Sequence, residues 1–331
     1  MKPLISVVII GRNEGQRLQR CLESVRAIET NALDAEIIYV DSGSKDNSMH
    51  LAHWMGAQVI ALSEGRCSAA LARNHGWRAA KGEWILFLDG DTIVHPNFPE
   101  RALAAARAGK TGVVWGHRRE LYPEANFYHR VLDLDWVYAP GISEFCGGDA
   151  LMLREALEKV QGFNDQLIAG EEPELCSRLR AKGYEVLHID VPMTKHDLAI
   201  NSFSQYWKRA TRAGYAYAKL AWETRNTAVP MWTSETWRNA LRVAVLVSIL
   251  IGSLGIAILL QKWAFALLPI VVFSLLVVRS AIKASWKSSN LLTLLCYGIH
   301  SHMQQIPILF GQFSFWADMA TTRRRELIEY K

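Results

Sequence analysis

The sequence has no CxxC pair, no GxGxxG motif and, in its first half, no basic run interleaved with stacking aromatics. Its five cysteines (Cys21, Cys67, Cys146, Cys176 and Cys296) are an odd number without regular spacing, which fits reduced thiols in a cytosolic domain better than a disulfide framework. The missing glycine motif matters because "GRNEG" follows the first apolar run without completing the turn of a dinucleotide enzyme, so an oxidoreductase is not expected. A formal charge of +5, from 37 basic and 32 acidic residues, is too small to call for nucleic acid as a partner. The opening "MKPLISVVIIGRNEG" turns charged too soon after its apolar run to read as a secretory leader.

What the chain has in quantity is apolar residues, 50% of a 331-residue length. That length predicts one large domain plus an appendage. In residues 1–200, "LISVVIIGRNE", "AEIIYVDSGSKDNS", "QVIAL" and "EWILFLDGD" are apolar runs, the first two rich in β-branched residues, and all but the third empty into polar loops. Helical segments fill the gaps at Gln16 to Arg26, Ser48 to Gly56 and Ala69 to Ala80. The alternation predicts an α/β domain with a mostly parallel sheet and helices on both faces, whose ligands sit outside the carboxyl ends of the strands. Asn13, Glu14, Asp41, Asp89 and Asp91 all fall at those ends. Carboxylates one residue apart, as Asp89 and Asp91 are, repel unless a cation or hydrogen-bond donors compensate them. Both a bound metal and capping of the next turn would do so.

From Val243 to Leu260, and again from Trp263 to Val278, no residue is charged. Each run is near the lower limit for a spanning helix, about 17–25 residues. Arg238 and Arg242 precede the pair and Arg279, Lys283 and Lys287 follow it, as expected for a hairpin with both ends in the cytoplasm. Seven of the twelve tryptophans lie from Trp207 onward, several near the run ends, as an interfacial belt requires. Residues 291–316 are apolar at both ends but hold His300, His302, Gln304, Gln305 and Pro307 in the middle, which predicts an interfacial or re-entrant helix ahead of the basic tail "TTRRRELIEYK". The expected plan is a globular domain over 1–200, amphipathic interfacial helices or a linker over 201–240 and a membrane region over 241–331. This puts the chain in the inner (cytoplasmic) membrane with its globular domain in the cytoplasm.

The order "SVVIIGRNE", "VDSGSKDNS", "ARNHGWRAAKGEWILFLDGDT", "CGGDALMLR", "GFND" and "GEEPELCSRLRAKGY", within residues 4–200, resembles the family 2 glycosyltransferases of the GT-A fold. The resemblance implies a Rossmann-like nucleotide-binding domain that transfers a sugar from a nucleotide donor with inversion. It implies that Asp41 meets the base, that Asn13 and Glu14 lie near base and ribose, and that Arg73 and Asn74 lie by the diphosphate. Asp89 would reach the ribose or a metal-bound water, and Asp91 a divalent cation. His196 in "VPMTKHDLAI" would be a third metal ligand or a phosphate contact. The general base would be Glu172, where the family more often has Asp, with Glu171 the alternative. Gly147 and Gly148 would line the acceptor side, and Asp149 would touch acceptor or donor sugar. "SQYWKRATRAGYAYAKLAW" loosely resembles a motif of members that act at membranes. It places Arg209 and Arg212 on one helix face, toward phosphates or lipid headgroups.

These roles are chemically coherent. A carboxylate at Asp41 suits the ring N–H of uracil or guanine, and a UDP-sugar is the expected donor. Mn²⁺ and Mg²⁺ both accept oxygen ligands shared between carboxylates and a diphosphate, and stabilise charge on the leaving group. The expectation is a metal-dependent inverting transferase acting on a lipid-linked or glycan acceptor at the membrane, in envelope or exopolysaccharide assembly, with membrane lipids and not nucleic acid as partners. A polyprenyl-phosphate monosaccharide synthase is the near alternative, since its phosphate acceptor needs no strong base. A non-catalytic nucleotide-binding scaffold is the distant one, and the joint presence of Asp41, Asp91, Glu172 and His196 argues against it.

Overall fold

The computed structural model describes residues 4–29, 34–62, 68–167 and 169–321. Cys67 and the tail from Thr322 onward lie outside the described residues. In chain order the elements are β1 (Leu4–Gly11), α1 (Gln16–Glu29), β2 (Asp34–Asp41), α2 (Ser48–Trp54), β3 (Gln58–Ala61), α3 (Ala69–Ala79), β4 (Trp84–Asp89), β5 (Thr92–Val94), α4 (Phe98–Ala105), β6 (Thr111–Glu120), α5 (Phe127–Asp135), β7 (Gly141–Ser143), β8 (Ala150–Leu153), α6 (Arg154–Lys159), α7 (Glu171–Ala181) and β9 (Glu185–His196). Then come α8 (Phe203–Glu223), α9 (Thr233–Leu259), a 3₁₀ turn (Trp263–Leu267), α10 (Leu268–Lys283), α11 (Leu291–Met303) and α12 (Gln305–Thr321). They divide into two compact units. The first comprises Met1–Tyr122, Trp136–Leu198 and Thr227–Met231; the second comprises Pro123–Asp135, Ala199–Asn226 and Trp232–Lys331.

The first unit is an α/β sandwich around one sheet, in the order β3-β2-β1-β4-β8-β6-β9-β5, with β7 paired to β9. The strands expected from the sequence, β1 to β4, form its parallel half. The sheet as a whole is mixed, because β8 runs antiparallel to both β4 and β6, and β5 and β7 antiparallel to β9. β8 is the "ALML" that follows the glycine pair, and its four residues are all buried. Val7, Val8, Ile9, Ile38, Val40, Leu86 and Phe87 are fully buried at the centre, as expected of parallel strands covered on both faces. Helix α3 starts at Ser68, whose side chain accepts from Leu71 N, a standard N-cap.

The second unit is helical. Helix α8 opens with a capping box between Ser202 and Gln205, and lies against α12 so closely that a Cβ on Gly214 would sit 2.0 Å from Ile308 O. Residues 201–240 therefore supply α8 and the first turns of α9. Its interior holds polar side chains: His300 is 0% exposed, Gln312 3% and Asn239 5%. His300 Nδ1 meets Tyr206 Oη at 2.8 Å and its Nε2 meets Asp135 Oδ2 at 3.0 Å, while Tyr297 donates to Asp135 Oδ1 at 3.0 Å. Apolar side chains lie outside, among them Leu259 (82% exposed), Ile282 (68%) and Ile251 (65%). Two helical stretches, Thr233–Leu259 and Trp263–Lys283, are long and apolar enough to cross a membrane. They are longer than the uncharged runs because helical turns bearing Arg238, Arg242, Arg279 and Lys283 extend them. The segment 291–316 is two helices that break at Gln304.

Candidate active site

Gly11 pairs with Asp41 and Ile10 with Asp89, so the loops after β1, β2 and β4 open at one level of the sheet. Asn13 takes a left-handed conformation (φ 55°); its Oδ1 accepts from Lys45 N at 2.7 Å and its N–H donates to Ser44 Oγ at 2.8 Å. Glu14 pairs with Arg17 at 2.9 Å, and its Cγ lies 3.0 Å from where a Cβ on Gly90 would stand. Asp41 is 1% exposed and accepts from Tyr39 Oη, Gly43 N and Ser44 N at 2.9, 3.0 and 2.7 Å. These residues come together as expected, and the hydrogen bonds of Asn13 and Asp41 shape the two loops.

The pairing of Thr92 with His196 across β5 and β9 brings Asp91 to the histidine, with Oδ1 3.1 Å from Nε2. Both are 4% exposed. Ligand atoms of Asp89, Asp91 and His196 all lie within 4.8 Å of one another. Two carboxylates and one imidazole form an oxygen-rich donor set that fits Mn²⁺ or Mg²⁺, with room for oxygen ligands from a substrate.

Arg73 organises the acids. Its Nη2 is 3.0 Å from Asp89 Oδ1, and its Nη1 is 3.0 Å from both Glu171 Oε1 and Glu172 Oε1. A guanidinium 2% exposed among three carboxylates is the compensation that clustered acids require. Burial works against its charge, but Glu172, Asp89 and Glu171 together hold it firmly protonated. Burial, and then the neighbouring charge of Glu171, push the Glu172 carboxyl up to about 7, with Arg73 pulling the other way. Glu172 is the more open of the pair, its side chain 14% exposed against 7% for Glu171. Opposite stands Gly148: a Cβ there would lie 2.8 Å from Arg73 Nη2, 2.9 Å from Asp89 Oδ2 and 3.3 Å from Glu172 Oε1. A side chain at position 148 would collide with Arg73 and Asp89, so glycine lets the backbone come up close against the acid cluster.

Other expected residues are placed differently. Asn74 is buried, accepting from Trp77 Nε1 and Phe163 N and donating to Phe163 O, so its amide holds the loop before α7. Asp149 is 0% exposed and accepts from Asp89 N (3.1 Å) and Thr194 Oγ1 (2.8 Å). It ties β4 to β9. A Cβ on Gly147 would lie 3.6 Å from Arg118 Nη1. Arg209 and Arg212 belong to α8 in the helical unit and are half-buried.

The "Glycosyl transferase family 2" description matches residues 6–161, and "Glycosyl transferase family group 2" matches residues 84–278, more than half of the chain. The chain is a family 2 glycosyltransferase. Its relatives include the glycosyltransferase AglE of Haloferax volcanii, 25% identical over 193 residues (56% of this chain, 64% of AglE). Another is the glycosyltransferase GlyG of Streptococcus pneumoniae, 34% identical over 142 residues (41% and 46%). The chain thus spans less than two thirds of these relatives' length. Among solved structures, the mannosyltransferase PcManGT of Pyrobaculum calidifontis, in complex with GDP-mannose and Mn²⁺, matches with a TM-score of 0.62 at 16% identity, covering 96% of this chain and 88% of that one. At that identity the likeness speaks for the fold.

Two site residues of this family member escaped sequence reasoning. Arg118 lies 3.6 Å from Asp89 Oδ2 and 3.7 Å from Asp149 Oδ2, and its Cζ stands 4.6 Å over the Trp136 ring. Trp136 in turn meets His196 edge-on, with centroids 5.1 Å apart. The signal was present in "VVWGHRRE", an apolar run ending in polar residues like the run before Asp89, but a bulged strand end carries no loop signature.

Proposed function

We propose that the chain transfers a sugar, with inversion, from a nucleotide-sugar donor to a glycan or lipid-linked acceptor at the cytoplasmic face of a membrane. The observation that supports this most is the Asp89–Asp91–His196 cluster joined through Arg73 to Glu172, with the Gly148 backbone close beside them. The loops holding Asn13, Glu14 and Asp41 receive the nucleoside: Asp41, with three of about four lone-pair positions taken, keeps one for a base N–H. Asp89, Asp91 and His196 would hold Mn²⁺ or Mg²⁺, which when bound stabilises charge on the departing diphosphate. Glu172 takes the proton of an acceptor hydroxyl as its oxygen bonds to the anomeric carbon, while the bond from that carbon to the diphosphate oxygen breaks on the opposite face. A carboxyl titrating at about 7 is well matched to this task. Arg73 fixes the acids, and Glu171 holds Arg73. PcManGT was solved with GDP-mannose and Mn²⁺, which favours a nucleotide sugar and a divalent cation here too. Apolar residues outside and polar ones inside the helical unit favour a bilayer around α9 and α10, with Arg209 and Arg212 toward headgroups or phosphates.

The test is nucleoside-diphosphate release by detergent-purified protein over UDP-, GDP- and dTDP-sugars with Mn²⁺, Mg²⁺ or EDTA. Release from one donor, lost with EDTA and in Asp91→Ala, is the expected result. No release, together with no metal-dependent donor binding by calorimetry, would remove the transferase reading.

A further inference from the structure

A row of rings in the first unit leads away from the Gly147–Gly148 loop. Phe145, two residues before Gly147, meets Tyr138 edge-on with centroids 6.1 Å apart. Tyr138 meets Trp115 at 5.4 Å, and Trp115 stacks on His188 at 4.1 Å with an interplanar angle of 23°. His117 abuts His188 at 5.0 Å, and its Nε2 lies 2.7 Å from Asp190 Oδ1. Strand pairing sets the row: Trp115 lies opposite His188 across β6 and β9, and His188 opposite Gly141 of β7.

The row is graded in burial. Trp115 and His188 are 4% and 1% exposed, while Tyr138 is 38% exposed and Ile142, on β7, 64%. The buried indole N–H of Trp115 meets no hydrogen-bond partner among the described residues, and such donors are rarely left so. Burial holds the His188 imidazole below its usual range, and its Nδ1 donates to Ala139 O at 3.0 Å, which fixes the loop carrying Tyr138. A platform with open aromatic surface, a buried N–H donor and a rim of imidazole and carboxylate offers apolar and hydrogen-bonding contact together. A pyranose ring presents the same combination, with C–H groups on its faces and hydroxyls around its edge.

We propose that Tyr138, Phe145 and Trp115 form an acceptor-glycan subsite that binds a pyranose of the acceptor next to the residue being glycosylated. This rests on the transferase reading above, because it takes Gly148 and Glu172 as the point of transfer. The occupant is a saccharide because the row is continuous with the loop lining that point: Phe145, Cys146, Gly147 and Gly148 are consecutive.

The experiment uses the full chain in detergent, titrated with α- and β-linked gluco-, chito- and manno-oligosaccharides of two to six sugars and followed by tryptophan fluorescence. We expect saturable binding of at least one series, about tenfold weaker in Tyr138→Ala and retained in Tyr138→Phe. In Trp115→Phe, which keeps a ring but loses the N–H, binding should fall about threefold. Trp54→Ala, at a tryptophan 81% exposed elsewhere, should bind as wild type. No saturable binding, or equal binding by wild type and Tyr138→Ala, overturns the subsite. Nucleoside-diphosphate release by wild type in the same preparation is read separately: release without oligosaccharide binding rejects the subsite alone, and absence of release with no donor binding rejects the transferase reading beneath it.

Discussion

The two units solve the burial of polar groups in opposite ways. In the α/β unit the centre is aliphatic, with Val7, Val8, Val40 and Leu86 fully buried, and the charged cluster gathers where the strands end. In the helical unit His300, Gln312 and Asn239 are inside while Leu259, Ile282 and Ile251 are outside. Water as solvent rewards the first arrangement and hydrocarbon tolerates the second. On the proposed reading, in which a bilayer surrounds α9 and α10, one chain is built for two solvents, and the clustered acids and Arg73 lie in the part that faces water.

The sharpest way to probe the α/β side is its proposed base. Glu172→Gln should lower kcat by about 10²–10⁴-fold, with donor affinity, measured by calorimetry, kept. The wild-type kcat/KM should rise with pH through about 7, the value to which burial and Glu171 lift the carboxyl, because only the ionised form accepts a proton. A wild-type profile flat from pH 5 to 9 would remove Glu172 from that role.

Next comes the cation at the centre of the cluster. Arg73→Met leaves Asp89, Glu171 and Glu172 without the guanidinium each touches. Breaking a buried pair in this way costs about 3–5 kcal/mol, to be read by chemical denaturation. Arg73 is what pulls the Glu172 carboxyl down against burial and Glu171; without it that carboxyl rises further, so the variant should regain stability as pH falls from 7 toward 5. Equal loss at both pH values would mean that packing, not charge, is what Arg73 supplies.

The helical side is probed by a charge on its outer face. Ile251→Lys, at a residue 65% exposed, should cost about 2.5–3.5 kcal/mol of insertion if hydrocarbon surrounds α9, seen as protein lost from the membrane fraction. A water-facing site would shift stability by no more than about 0.5 kcal/mol, and that outcome would end the two-solvent comparison. The smallest effect belongs to a helix end: Ser202→Ala, which removes the capping box of α8, should cost about 1 kcal/mol in thermal unfolding.

Local pattern carried much of this. The apolar runs before Asn13, Asp41 and Asp89 announced β1, β2 and β4, and the uncharged runs after Arg242 announced α9 and α10. Parallel strands buried on both faces and helices in a greasy setting need residues of one kind in succession, and succession is visible in a sequence. Glu171 and Glu172, at the start of α7, were picked out by the family resemblance and not by local pattern. The placement of Asp91 beside His196 depends on the pairing of β5 with β9 across about a hundred residues of chain, which no local pattern encodes. The surroundings of Asn74 and Asp149 were likewise set by tertiary contact: each bonds to partners from distant strands and loops. Arg118, Trp136 and the row from Phe145 to His117 emerge only when β6, β7 and β9 align. The sequence by itself determined which segments would be strands, which helices would be greasy, and which acids stood at strand ends. The tertiary structure alone decided which of those acids share a cation, which are walled in, and which rings line up beside them, because those outcomes depend on contacts between residues far apart in the chain.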